Sequence, residues 1–347
     1  MVLRKWESRS PPAFKAPDTN RARGLFLCVF IPKFRCSFCY FSHSIHCRMS
    51  RKKLIILTGP TGIGKTDLSI ELAQALGTEI VSCDSRQMYR ELKIGAAPPS
   101  AEQLAKVKHY FIGNLSITDY YSAGRFELQA LELLDTLFAT HDNVLMVGGS
   151  GMYIDAVVQG IDDLPTASPE IREQMMQRLK NEGIDALRAE LAQLDPDYYN
   201  NADIVNPKRV LKALEVIAQT GKTYSSLRTG QGKQRPFDIV MVGLTMDRQQ
   251  LYDRIDRRVD AMLAAGLESE ARNLPQYKHL NSLNTVGYKE FFGYFDGEYD
   301  FDEAVRLIKR NSRRYAKKQM TWFNRYPQMR WFDRADEDAI KQFILNV

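Results

Sequence analysis

Cysteine is nearly absent from most of this chain. Of five cysteines in 347 residues, four (Cys28, Cys36, Cys39 and Cys47) fall within the first 48, leaving Cys83 alone in the remainder. One cysteine cannot close an internal disulfide, so a cross-linked secreted scaffold is excluded for the body, and a reducing compartment, the cytoplasm, is expected. Long apolar runs are missing as well. None approaches the ~20 residues of a membrane-spanning helix, so no membrane association is expected. Excess charge is missing from the body too: the chain carries +6, but residues 1 to 48 hold nine Lys and Arg against Glu7 and Asp18, a net +7 that leaves −1 for everything after them. A nucleic-acid partner must therefore be argued from local clusters and not from overall charge. With 44% hydrophobic and 26% charged residues the rest is ordinary globular composition, enough for one large or two modest domains.

Residues 1 to 48 show no sustained helical or strand period and stop at Met49-Ser50-Arg51-Lys52-Lys53, just before the first strand signal. The segment is basic and acid-poor like a targeting peptide, but its apolar stretch Gly24 to Ile31 is weak and no clear cleavage site follows. Cys36, Cys39, His43 and Cys47 offer zinc ligands at a spacing that matches no standard finger. The expectation is that translation begins at Met49 and that 1 to 48 are a disordered or non-native extension.

The stretch that organises the rest is Leu54-Ile55-Ile56-Leu57-Thr58 followed by Gly59-Pro60-Thr61-Gly62-Ile63-Gly64-Lys65-Thr66. A short apolar, β-branched run, a Gly-rich turn and the periodic segment Asp67 to Leu76 read as buried strand, loop and helix, the setting a P-loop requires. Gly59 and Gly64 let the backbone curl so that N–H groups converge on phosphate oxygens, while the helix aims its positive end at the same point. Lys65 adds a point charge, and the Thr66 hydroxyl is a ligand for Mg²⁺. The motif specifies phosphate but not the reaction.

Glu79 to Cys83 reads as a second strand, with Asp84-Ser85-Arg86-Gln87 at its carboxyl end, the edge where open α/β sheets bind ligands, so Asp84 is expected to face the phosphate site. Ser122 is an N-cap for the amphipathic helix Phe126 to Ala139. Val144 to Val147 is a third strand, and Gly148-Gly149-Ser150-Gly151 at its tip brings backbone and the Ser150 hydroxyl close to a ligand. From about Gly160 to Gly230 the chain turns charged and strand-free, with Ser168-Pro169 and Asn206-Pro207 opening helices, the second ending at Gly221. Its basic residues Lys208, Arg209 and Lys212 are equally consistent with a solvated face. Ile239 to Leu244 returns to the sheet. Asp247 then starts a helix with Leu251, Ile255, Val259 and Met262 inward, from which Arg254 reaches the phosphate pocket. Finally Arg306, Lys309, Arg310, Arg313, Arg314, Lys317 and Lys318 crowd one helix with no acid before Asp333, a phosphate-backbone footprint. The expected fold is α/β: a P-loop NTPase-like parallel sheet flanked by helices, made from 49–159 and 231–347, with an inserted all-helical domain at 160–230.

Taken together, these motifs resemble the tRNA dimethylallyltransferases (tRNA isopentenyltransferases) of the bacterial type, from about Lys53 to Phe332. The residues that carry the resemblance are Gly59 to Thr66, Asp84-Ser85 with Tyr89, Tyr121-Ser122-Ala123, Gly148-Gly149-Ser150 with Tyr153, Asn206-Pro207 with Arg209 and Ala213-Leu214-Glu215, Val286-Gly287-Tyr288, and Ala316-Lys317-Lys318-Gln319 with Thr321-Trp322. Apart from the P-loop each is weak alone; in this order they are specific. The resemblance implies transfer of a dimethylallyl group from its diphosphate to N6 of adenosine 37, beside the anticodon. The P-loop then cradles the leaving diphosphate, although the loop leads the family to be described as ATP-binding. It further implies Asp84 as general base and Ser150 where a Thr meets the reacting centre. Implied tRNA contacts are Arg172, Asp84 to Gln87 (Asp84, Ser85, Arg86, Gln87), Ser150, Lys208 to Lys212 (Lys208, Arg209, Val210, Leu211, Lys212), Asn284 to Lys289 (Asn284, Thr285, Val286, Gly287, Tyr288, Lys289) and Ser312 to Gln319 (Ser312, Arg313, Arg314, Tyr315, Ala316, Lys317, Lys318, Gln319). Mg²⁺ is the implied cofactor, the anticodon stem-loop and dimethylallyl diphosphate the partners, and a monomer the expected state. Departures from the family pattern are Ser150 for Thr, Gly151 for a bulkier residue and Ala96 for Thr.

Three other readings compete. A small-molecule kinase uses the same loop but leaves the helical insertion and basic helix without employment. An adenylate isopentenyltransferase prenylates a free nucleotide, which needs no basic helices. A non-catalytic RNA-binding module does not account for a complete P-loop with Asp84 beside it.

Overall fold

The computed structural model describes residues 51–162, 164–230 and 232–347. The readings of the first 48 residues lie outside the described part.

The chain runs β1 (Lys53–Thr58), α1 (Lys65–Leu76), β2 (Ile80–Ser82), α2 (Ala101–Lys106), β3 (His109–Tyr110), α3 (Ala123–Phe138), β4 (Asn143–Gly148) and α4 (Gly151–Val158). Four helices follow without a strand among the described residues: α5 (Pro169–Leu194), α6 (Pro196–Asn201), α7 (Pro207–Thr220) and α8 (Tyr224–Leu227). The sheet resumes with β5 (Asp238–Thr245), then α9 (Arg248–Ala264), α10 (Leu267–Arg272), α11 (Tyr288–Phe295), α12 (Phe301–Phe323), β6 (Arg330–Asp333) and α13 (Glu337–Leu345).

The strands form one sheet in the order β3-β2-β4-β1-β5-β6, and every pairing is parallel. β1 lies between β4 and β5, which is why its run from Leu54 to Thr58 is buried throughout. Alternate side chains go to opposite faces: Ile55 and Leu57 pack with Leu68, Leu72 and Ile340, and Leu54 and Ile56 with Phe126, Leu134, Ile154 and Phe323. The four apolar strands expected from sequence are present, whereas the edge strands β3 and β6 were not foreseen. β3 is two residues long and β6, Arg-Trp-Phe-Asp, is exposed or half-buried throughout, so neither carries an apolar run or a period to read.

Helix starts follow the capping residues. Ser122, Ser168, Asn206 and Asp247 each accept a backbone N–H of the first turn of α3, α5, α7 and α9, and Gly221 ends α7 in the left-handed region. α5 to α8 enclose a core of their own built on Leu187, Leu191, Val210 and Leu214. Both chain crossings into this helical segment are tied by one buried ion pair. Glu127 accepts from Arg235 at 2.9 Å and from the Ile161 amide at 2.9 Å, while Arg235 also donates to the Val157 carbonyl at 2.7 Å. Satisfied on both sides in this way, the buried charges escape the penalty of isolation. The tips of β1, β2, β4 and β5 all open on one edge of the sheet, as a parallel arrangement requires, and that edge is where the polar residues gather.

Candidate functional site

The loop after β1 is ringed by cations that its carbonyls hold in place. Gly64, with φ of 87°, turns the backbone through the left-handed region directly into α1, a conformation a side chain disfavours. The Lys65 ammonium donates to the Gly59 and Pro60 carbonyls at 2.9 and 3.0 Å. Burial, only partly opposed by Asp84, lowers its pKa to about 8. Arg254 donates to the Gly62 carbonyl at 3.0 Å, so the helix α9 does bring it to the loop. Arg334, which follows β6, donates to the Gly64 carbonyl at 3.3 Å and was not foreseen, because the strand that places it was not. The Thr66 hydroxyl, half-buried at the start of α1, makes no hydrogen bond among the described residues.

Asp84 stands at the tip of β2. Its Oδ1 accepts the amides of Arg86 at 2.9 Å and Gln87 at 3.4 Å, which leaves Oδ2 without a partner among the described residues. Ser150, at the tip of β4, accepts the Ser85 amide at 2.9 Å and donates to the Ser85 hydroxyl at 3.1 Å, fixing the two strand tips to one another. Gln319 of α12 joins a third tip: it accepts from Thr61 N and donates to the Gly149 carbonyl, each at 2.8 Å. A Cβ on Gly149 would stand 2.3 Å from that carboxamide, so the close approach depends on glycine.

These tips form the floor of a cleft of about 940 Å³. Thr61, Asp84, Ser85, Arg86 and Ser150 line it from the sheet; Asn284, Thr285, Val286, Gly287 and Lys289 from the turn before α11; and Ser312, Arg314, Tyr315, Lys318 and Gln319 from α12. Enclosure, and after it Asp84, raises the Tyr315 phenol to about 12, so it stays protonated at neutral pH. Arg258 lines the same cleft and makes no hydrogen bond among the described residues; burial lowers its pKa and Asp84 opposes that shift.

Two carboxylates behind the lining hold its backbone. Glu290, 5% exposed, accepts the Gly287 amide at 2.8 Å and the Asn311 side chain at 2.7 Å. Glu270 accepts the amides of Lys93 at 2.9 Å and Gly95 at 3.0 Å together with the Tyr288 hydroxyl at 2.5 Å. Neither lies in a motif, and only the folded chain shows what each one grips.

Other residues expected at the site fall elsewhere. Ile63, Val210, Leu211, Tyr288 and Ala316 are core residues at 0 to 6% exposure, so their side chains offer nothing to a partner; Ile63 turns inward from the loop after β1, and the other four lie on the inward sides of helices. Gln87 holds the Ala97 carbonyl at 3.0 Å and braces a loop. Lys208 reaches from α7 to Asn281 at 3.2 Å, and Asn281 lines the cleft. Arg209 lies 3.9 Å from Asp203, and Lys212, half-buried near Glu215, has its pKa lowered by burial. Arg172 lies over the ring of Tyr120, a cleft residue. Lys317 faces a separate groove with Pro60, Tyr252 and Met320. The basic helix is also less free than its sequence suggests: Arg306, Lys309 and Arg313 pair with Glu303, Asp260 and Asp256 at 2.5 to 2.6 Å. Asp256 and Asp260 lie on α9, remote in sequence, so the lack of acids in α12 after Glu303 concealed the neutralisation of Arg313 and Lys309. Arg310, Arg314, Lys317 and Lys318 have no carboxylate partner among the described residues.

The sequence matches the model of the IPP transferase family over residues 87–326. It is 55% identical to tRNA dimethylallyltransferase 1 of Bacteroides thetaiotaomicron over 84% of this chain and 94% of that one, and 54% identical to the protein of the same name from Bacteroides fragilis over 85% and 98%. The chain belongs to the tRNA dimethylallyltransferase family. The crystal structure of a full-length tRNA isopentenylpyrophosphate transferase from Bacillus halodurans superposes with a TM-score of 0.63 at 35% identity, covering 85% of this chain and 96% of that one. Among the described residues no helix is long and apolar enough to cross a membrane.

For a member of this family the arrangement is chemically coherent. Lys65, Arg254 and the start of α1 gather at the loop after β1, a set of positive groups suited to an anion. Thr61 of that loop lines the cleft together with Asp84, Ser150 and Tyr315. The mouth beyond them is edged by Lys289, Arg314 and Lys318.

Proposed function

We propose that the protein transfers the dimethylallyl group of dimethylallyl diphosphate to N6 of adenosine 37 in tRNA, giving N6-(dimethylallyl)adenosine and diphosphate. The observation that carries this reading is the juxtaposition of a phosphate loop with the unpartnered Oδ2 of Asp84 in one cleft edged by unpaired cations. We place the activity in the cytoplasm and in a monomer.

The C1–O bond of the allylic diphosphate breaks as N6 of adenine bonds to C1, and its electron pair leaves with diphosphate. Lys65, Arg254 and the loop amides take up that developing charge, which is the larger part of the catalytic task. Arg258, a cleft residue that interacts electrostatically with both Lys65 and Asp84, adds a further cation. The exocyclic amine is a weak nucleophile because its lone pair is delocalised into the ring, so it needs a base as the bond forms. Oδ2 of Asp84 accepts that proton, while the Arg86 and Gln87 amides on Oδ1 fix the carboxylate's orientation. The donor set fits Mg²⁺: the Thr66 hydroxyl is unengaged, and Mg²⁺ takes one or two protein ligands with phosphate oxygens and water. Bound there, the ion would neutralise leaving-group charge. The adenine must leave its stack to enter the cleft, which an anticodon loop permits at low cost.

Incubating the protein with tRNA and dimethylallyl diphosphate, then analysing the nucleosides by mass spectrometry, tests the proposal. The expected product is adenosine enlarged by one dimethylallyl group; phosphorylated product formed from ATP instead would support the kinase reading.

A further inference from the structure

One part of the cleft mouth takes no part in the transfer. Tyr120, in the loop between β3 and α3, lines the cleft while 51% of its surface stays exposed. The guanidinium of Arg172, near the start of α5, lies 3.9 Å from the centre of the Tyr120 ring. That guanidinium is itself held, since its Nε donates to the Ala167 carbonyl at 3.1 Å. The backbone below the ring is held too: the Tyr120 carbonyl accepts from Arg125 at 3.3 Å, and Ser122 caps the helix that follows. Met152, 60% exposed, lines the same cleft. A tyrosine fixed by a cation on one side and open over half its surface is a prepared platform, because the entropy of ordering the ring is already spent.

The occupant follows from where the platform stands. A base drawn into the cleft leaves its neighbours in the strand without a stacking partner, and a nucleobase is the flat, π-rich group that an aromatic ring backed by guanidinium accepts whatever its sequence. Arg172 and the nearby Lys212 supply positive charge for the adjoining phosphates. We propose that Tyr120, backed by Arg172, is the stacking site for a nucleobase flanking the reacting adenosine. This rests on the RNA-prenylation reading above.

The test uses the full chain and anticodon stem-loop RNAs in which the nucleotide on either side of the reacting adenosine is replaced, one at a time, by an abasic residue. Tyr120→Ala is expected to raise the KM for intact RNA by about 5- to 150-fold, the usual worth of one base–aromatic stack, and to leave the KM for dimethylallyl diphosphate unchanged. Tyr120→Phe, which keeps the ring, should stay within about twofold of the unsubstituted protein. On one of the two abasic RNAs the Tyr120→Ala defect should vanish, because the stack it removes is already gone. An unchanged KM in Tyr120→Ala, or a defect of equal size on both abasic RNAs, would overturn the stacking site. Failure of the unsubstituted protein to prenylate any of these RNAs would instead overturn the transfer reading, and the same comparison made on RNA dissociation constants would still decide the stack.

Discussion

The carboxamide of Gln319 accepts a hydrogen bond from the Thr61 amide at 2.8 Å, and through it the basic helix α12 grips the phosphate loop. The same side chain, 6% exposed, donates to the Gly149 carbonyl at 2.8 Å. Both oxygen and nitrogen ends are therefore required. Gln319→Ala strands two backbone groups, each costing about 1–3 kcal/mol when left unpaired and buried. The expected outcome is a lower urea midpoint together with a raised KM for dimethylallyl diphosphate. Gln319→Glu keeps the acceptor but turns a second oxygen toward the Gly149 carbonyl and adds negative charge beside the diphosphate, so its KM defect should exceed that of Ala. Equal KM values in all three proteins would show that the grip is irrelevant to the site.

Lys65 sets a pH limit on anion binding. Its pKa in the free protein is lowered to about 8 by burial, and a bound diphosphate favours the ammonium, so the pKa is higher in the complex. The sign follows from linkage: affinity is fully present below pH 8 and falls as pH rises through it, by up to about tenfold per unit until the bound-state pKa is reached. Inhibition by inorganic diphosphate, measured from pH 6.5 to 9.5 (a range of about three units around that pKa), reports this directly. A profile flat to pH 9.5 would assign the anion to other cations.

The central strands were legible because each is buried on both faces and reads as an apolar run, as Leu54 to Leu57 does. Caps such as Ser168 and Asn206 were legible because their chemistry is local. What escaped the sequence depends on partners remote along the chain: Asp256 and Asp260 neutralising Arg313 and Lys309, Glu270 gathering the loop at Lys93 to Gly95, and Arg334 returning to Gly64 behind a short edge strand. Within the site, Asp84 could be expected near the loop from its place at the carboxyl end of a strand, but the freedom of one of its oxygens could not.

The two sides of α12 are expected to behave differently. Arg314 and Lys318 line the cleft without carboxylate partners, whereas Arg313 is held by two oxygens of Asp256 at 2.5 and 2.7 Å. Replacing Arg314 and Lys318 together by Ala should raise the KM for tRNA and reduce the slope of log affinity against log salt by about two charges' worth, with dimethylallyl diphosphate affinity nearly unchanged. Arg313→Ala should leave that slope as it is and lower stability instead, because Asp256 loses its partner. A reversal of these two outcomes in salt titrations and thermal melts would move the RNA path to the other side of the helix.

Asp84→Asn tests the base. Asparagine preserves the shape, and its carbonyl oxygen can still accept the Arg86 and Gln87 amides, so the turn at the tip of β2 should persist. What disappears is a group able to take the N6 proton. Binding of tRNA and of dimethylallyl diphosphate should survive, while the single-turnover rate falls by about 10² to 10⁴, the ordinary worth of a general base. If the carboxylate instead only helps to position Mg²⁺, the defect should shrink as Mg²⁺ is raised, and KM for the diphosphate should carry most of it. Single-turnover prenylation at saturating substrates, repeated across a Mg²⁺ series, separates the two. Near-normal rates in Asp84→Asn, or recovery at high Mg²⁺, would remove Asp84 from the role of base and pass the proton to another polar group of the cleft, such as the hydroxyl of Ser150 or Tyr315.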